Sequence, residues 1–222
     1  MSKISLKHSG GNVVSLNSPT SAPTSADVAF KLPNADGTSD QVLKTDGSGN
    51  LAFTSLVSGI TDADHWYMHT NHSADASSNT LGVSGSSTMQ RTNNISTISS
   101  GAPIGSGMSL DTSNGYFTFP STGKYVVIVH GLILLYGSDS AGIETYVTVD
   151  NGSSSYVHSY AQAHQSSGTI AHHVGSFALI DVTSTSNVKV RFDQDGLGTN
   201  SYIVGSASQI KTAFMFIRIG DT

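Results

Sequence analysis

Residues 125–136 read Tyr125-Val126-Val127-Ile128-Val129-His130-Gly131-Leu132-Ile133-Leu134-Leu135-Tyr136, a run that is apolar at nearly every position. Length alone would allow a buried helix. Three Val and two Ile, the helix-weak Gly131 within the run, and the brackets Gly123 and Gly137 favour a strand. A strand points successive side chains to opposite faces, so both faces of this one need cover. The last apolar run, Thr212-Ala213-Phe214-Met215-Phe216-Ile217-Arg218-Ile219, makes the same demand. A two-layer sandwich covers one face of each sheet, and the second face therefore predicts a contact between subunits. Tyr125, Val127, Val129, Phe214 and Phe216 are the expected interface residues.

Other runs alternate as half-exposed strands do. Val188, Val190 and Phe192 are expected inward, with Lys189, Arg191 and Asp193 outward. Ile143, Val147 and Val149 likewise oppose Glu144, Thr148 and Asp150, and Asp150-Asn151-Gly152 signals a hairpin whose central positions need positive φ. About eight to ten strands are expected between residues 63 and 219.

Residues 1–58 differ from this pattern. Ile4, Leu6, Val13 and Leu16, then Val28, Phe30 and Leu32, are apolar scraps divided by Ser9-Gly10-Gly11-Asn12 and by Ser18-Pro19-Thr20-Ser21-Ala22-Pro23. Such short pieces bury too little area to offset the entropy of ordering them. Either the segment is disordered or neighbouring chains cover it. Two units are expected, an N-terminal segment 1–58 and a head 59–222.

Composition removes several function classes. With 222 residues, 11% charged and 37% hydrophobic, the chain suits one sandwich core with an appendage. A net charge of −5 and ten Lys and Arg leave no basic patch, which argues against nucleic-acid binding. There is no cysteine, which removes disulfides, thiol catalysis and Cys-ligated zinc. No run approaches the ~18 apolar residues of a membrane span, and Met1 to His8 lack a signal-peptide core, so no membrane insertion and no export signal are expected.

The run Leu32-Pro33-Asn34-Ala35-Asp36-Gly37, followed by Gln41-Val42-Leu43-Lys44-Thr45-Asp46-Gly47-Ser48-Gly49-Asn50-Leu51-Ala52-Phe53, reads as three strands joined by Asp-Gly turns. It resembles a module that recurs in phage tail fibres, and Ile4 to Leu16 is similar to the start of marine cyanophage fibre-like proteins. Gly115-Tyr116-Phe117-Thr118-Phe119-Pro120 with Gly123-Lys124-Tyr125 fits G-x-F-x-x-P-x-x-G-x-Y, and with the runs at 147–152, 177–192 and 213–216 it resembles the C1q and tumour-necrosis-factor jelly roll. That resemblance implies an all-β homotrimer of jelly-roll heads meeting along inner-sheet aromatic residues.

Together these resemblances imply a bacteriophage structural protein, made in the host cytoplasm and carried on the virion. Ile4, Leu6, Val13, Leu16, Phe30 and Leu32 are the expected anchoring residues, toward a capsid, tail or adaptor protein. The head would meet a host glycan or protein through loops 137–142 and 153–155. A capsid decoration protein and a cellular C1q-like binding protein are the rival readings.

Candidate chemistry is thin. His65, His69 and His72 have the spacing of a helical metal site, but Trp66-Tyr67-Met68 prefers a strand, where His72 lies opposite the other two. His158, His164, His172 and His173 are scattered over strands, one of the last two able to face a symmetry axis. Asp193-Gln194-Asp195-Gly196 begins like a calcium loop but has Val204 where the twelfth ligand should be, and reads as a turn. No nucleophile elbow, HExxH or phosphate loop occurs, so no catalytic residue, metal or cofactor is expected and the chain is read as no enzyme. The lone Trp66 is read as a plug at the base of the core rather than a sugar platform.

Overall fold

The computed structural model describes residues 3–17, 20–21, 29–55, 59–92 and 101–222. The chain divides into two compact units, Met1–Val57 and Ser58–Thr222. Among the described residues the regular elements are β-strands, and no helix is long and apolar enough to cross a membrane.

In the first unit, β1 (Lys3–Lys7) pairs antiparallel with β2 (Val13–Asn17), Ile4 standing opposite Leu16. Gly11, at φ 97°, lets the chain turn between them. Ile4, Leu6, Val13 and Leu16 are all more than half exposed. A second hairpin joins β3 (Gln41–Thr45) to β4 (Leu51–Ser55). Its turn is organised by Asp46, which accepts hydrogen bonds from the Asn50 side-chain amide (2.6 Å) and the Ser48 N–H (2.8 Å). These bonds hold the Asp46 carboxyl below the usual range. The strand expected around Phe30 to Leu32 is reduced to one bridge between Lys31 and Asn50. Pro33 offers no N–H, so a ladder cannot continue through it. Phe30 and Leu32 are exposed, and Val28 and the Ser18-Pro19 stretch lie outside the described residues.

The second unit is a sandwich of two antiparallel sheets. One contains β5 (Ala63–Met68), β6 (His72–Ser73), β7 (Met89–Arg91), β10 (Gly123–Tyr136), β13 (Thr169–Val182), β15 (Tyr202–Ile203) and β16 (Ala213–Gly220). The other contains β8 (Ser109–Leu110), β9 (Phe117–Thr118), β11 (Asp139–Thr148), β12 (Tyr156–Gln165) and β14 (Lys189–Asp195). In the first sheet β13, β10, β16, β5 and β7 lie side by side; the order in the second is β12-β11-β14-β9-β8. The chain crosses between sheets from β9 to β10, β10 to β11, β12 to β13 and β13 to β14, which is jelly-roll connectivity. Twelve strands are present here among the described residues, more than expected, because four are only two residues long.

Phe117, Phe119, Phe192, Phe214 and Phe216 fill the space between the sheets, with Phe192 and Phe214 rings 4.2 Å apart and Phe117 and Phe216 rings 5.1 Å apart. Each fully buried ring contributes on the order of 2–3 kcal/mol. Trp66 packs edge-on to Phe117 at 5.1 Å, the plug role expected of it. Its indole N–H donates to Asp64 (2.8 Å), which also receives Arg91 Nε (3.0 Å) and the Met108 N–H (2.7 Å) and so ties β5 to β7 and to the chain before β8.

The head's two ends are distinct. The chain enters beside Asp62, whose carbonyl accepts the Arg218 N–H (2.8 Å) and whose carboxylate accepts the Ser121 hydroxyl (2.8 Å). Residues 149–155 lie at this end, where the Asn151 N–H reaches the Asn187 carbonyl (3.0 Å). The far end holds Gly137 and Ser138, joined to the 166–168 turn by the Gly137 N–H on the Gly168 carbonyl (2.7 Å). The two loops expected to form one recognition surface are thus at opposite ends, because β11 carries the chain from one end to the other. Asp139 to Gly142, expected in a loop, begin β11 itself. Val149, expected inward, lies beyond β11 and is 64% exposed.

Candidate self-association face

Alternation along β10 decides which residues a partner could reach. Tyr125, Val127 and Val129 on β10, and Phe214 and Phe216 on β16, are at most 2% exposed in the single chain. They point between the sheets, so the interface expected on them is corrected: they form the core of the single chain. Their neighbours in sequence form the other face. The polar residues Lys124 and His130 share the even-numbered parity of that face, a signal present in the sequence that marks the side away from the core.

On this outward face register sets side chains in rows. Val126 stands between Leu179 on β13 and Ile217 on β16; Ile128 stands between Phe177 and Met215. Leu132 and Leu134 extend the stripe along β10. From Val126 to Leu134, across β13, β10 and β16, the face spans roughly 380 Å², His130 and His173 included, using ~3.3 Å per residue and ~4.8 Å per strand. The largest apolar patch on a typical monomer is of this order and is often functional. Phe177, at 77% exposure, is a knob with nothing from its own chain over it, and Leu179 beside it is 54% exposed. Gly175 leaves a notch next to Phe177, lined also by Val126 and Ile128.

On the opposite side of β10 the same face holds a groove of about 310 Å³ lined by Ile60, Ala63, His65, Ile104, Met215 and Ile217. Burial pushes His65 down from the ordinary histidine range, against the opposing pull of Asp64. A knob and a groove on different parts of one sheet are suited to a head-to-tail contact, which closes into a ring when the rotation allows. One end of the face is marked by the Lys124 and Asp181 ion pair (2.8 Å), itself exposed and worth little in isolation.

The other candidate residues are accounted for within the chain. Among the described residues no three His, Asp or Glu side chains gather as metal ligands would. His72 is buried and bonded through Nδ1 to the Ser87 hydroxyl (3.1 Å), while His172 Nε2 meets the Gln165 side-chain Oε1 (3.3 Å). Asp193 pairs with Arg191 (3.2 Å), Asp195 accepts the Tyr160 hydroxyl (2.9 Å), and Gly196 turns at φ 76°. Burial, with the Asp195 bond second, pushes the Tyr160 hydroxyl up to about 12. Arg191 also lies over the rings of Tyr146 (5.0 Å) and Tyr116 (5.2 Å), an arrangement the sequence does not disclose because the three residues meet only across strands.

No family model and no curated protein matches the chain. Among solved structures it is similar to the Eiger TNF from S. frugiperda, at 13% identity and a TM-score of 0.52, over 74% of this chain and 96% of that one. Murine APRIL, at pH 5.0 and at pH 8.0, is 11% identical, with TM-scores of 0.44 and 0.45 over 71% of this chain and 98% of its own. The likeness to the Eiger structure, at such identity, speaks for fold alone, and with the strand order above it establishes a tumour-necrosis-factor-like jelly roll.

Proposed function

We propose that this chain is a non-enzymatic structural protein of a bacteriophage particle, a homotrimer held by its N-terminal unit and displaying three jelly-roll heads. The observation that carries the reading is the apolar outward face of β10, β13 and β16, which a lone subunit leaves in water. A second copy supplies the cover: the Phe177 and Leu179 knob of one subunit meets the Ile60, Ile104 and Met215 groove of the next. Support for the virion comes from the fibre-like module at residues 30–53 and from the uncovered hairpin faces at Ile4, Leu6, Val13 and Leu16. A two-stranded hairpin is marginal by itself and gains stability by packing on a partner such as a capsid, tail or adaptor protein.

Recognition of a host glycan or protein belongs at the far end of the head, at Gly137, Ser138 and residues 166–168, away from where the chain enters. Threefold repetition multiplies weak contacts there into avidity. A capsid decoration protein is favoured by one feature: with β1 to β4 folded into hairpins, the N-terminal unit reaches well short of the ~190 Å that 58 extended residues could span.

Immunoblots of purified particles with an antibody to the full chain test the reading. The chain is expected in the particles, at low copy number for a fibre and at much higher copy number for decoration. Its absence from particles, with abundant free protein in the lysate, contradicts the virion role.

A further inference from the structure

Two of the few polar side chains on the outward face sit together. His130 on β10 and His173 on β13 stack with ring centroids 5.3 Å apart and planes 29° from parallel. Both are exposed, and neither has a hydrogen-bond partner among the described residues. Gly175 stands directly across from His130 and Leu132 across from His173, so the pair is set in the apolar stripe rather than at its rim. We infer that this histidine pair makes subunit association acid-labile, the imidazoles entering the interface neutral and expelling the partner when protonated. The inference rests on the self-association reading of the same face.

The charges around the pair decide the sign. On β10 the other titratable groups of this face are Lys124 and Tyr136, one near each end; on β13 it is Asp181, already engaged by Lys124 at 2.8 Å. β16 presents Ala213, Met215 and Ile217, which carry no charge, and β5 presents His65 and Tyr67. Tyr202 of β15 lies across from Leu134, and His172 faces the other way, toward Gln165. Among the described residues no carboxylate is placed to stabilise charge on the pair: Asp181 is six residues along β13 from Gly175, about 20 Å. Desolvation in an interface favours the uncharged imidazole, and two charged rings in contact repel. Histidine changes charge between pH 5 and 8, so association is full at the alkaline side and is lost as pH falls. Symmetry repeats the effect in each subunit.

Sedimentation equilibrium of the full chain at pH 7.5 and pH 5.5, with far-UV circular dichroism to confirm folding, tests this. A folded wild-type chain is expected to assemble at pH 7.5 and to weaken by roughly 100-fold or more at pH 5.5, about tenfold for each imidazole desolvated. H130Q/H173Q is expected to assemble with a dissociation constant within about threefold at both pH values. If the double variant does not assemble at pH 7.5, H130Q and H173Q singly decide, each expected to remove about half of the pH response. A wild-type assembly unchanged at pH 5.5 overturns the inference and leaves self-association standing. Equal acid lability in wild type and the glutamine variants overturns it too, by assigning the response to another group such as His65. A chain monomeric at pH 7.5 at every concentration overturns both.

Discussion

His72 shows how one residue can govern the head's response to acid without touching any partner. It is fully buried in β6, its Nε2 has no partner among the described residues, and burial pushes it down to about 4. Its folded value lies below the ordinary ~6.5, so its contribution to stability is complete above about pH 6.5 and is lost as pH falls toward 4. The difference is on the order of 3 kcal/mol. Asn can offer an acceptor where Nδ1 sits and does not titrate, and the Ser87 hydroxyl, which already accepts the Gly82 N–H (3.0 Å), keeps its partner. H72N is therefore expected to flatten the fall in urea-unfolding free energy between pH 7 and pH 4.5; an unchanged slope would assign the acid sensitivity elsewhere. In the sequence His72 reads as one of three spaced histidines, because burial comes from strands distant along the chain.

At the scale of the strand, phase is the quantity that matters. In β14 the phase is legible from sequence: Lys189 and Arg191 mark the wet side and Val190 and Phe192 the core, as found, while Asp193, expected outward with them, is buried at 8% exposure. In β10 the alternation is hidden, since both faces are apolar, and only Lys124 and His130 betray it. Choosing the wrong phase moves every interface residue by one, from Ile128 to Val127 and from Met215 to Phe214. Phe214→Ala and Phe177→Ala separate the two phases. Measured by urea unfolding at concentrations low enough for single subunits, Phe214→Ala is expected to cost about 3–5 kcal/mol, and Phe177→Ala within about 0.5 kcal/mol of nothing. Equal losses would mean that Phe177 is part of the subunit core. The strand signatures, the Gly115 to Tyr125 motif and the Asp46-Gly47 turn were legible because they are local, whereas no turn forms at Asp36-Gly37 and the chain turns instead at Ser39-Asp40; the loop at 149–155 was only half legible, Asn151 and Gly152 having the expected positive φ of 60° and 90° inside a longer connection.

For the whole molecule the jelly roll was readable in outline, as a count of strands with two that were apolar on both sides. What the sequence could not carry was which end of the head lies far from the chain's entry, since that follows from β11 crossing the sandwich. The same two-sided strands underlie the proposal that copies of this chain cover the outward face of β10, β13 and β16. Sedimentation equilibrium of the full chain at pH 7.5, beside Phe177→Asp, measures it most directly. A mass three times the 23.0 kDa of one chain is expected for the wild type, and a folded single chain for the variant. A wild-type mass of one chain at all concentrations, with folded circular dichroism, would contradict it.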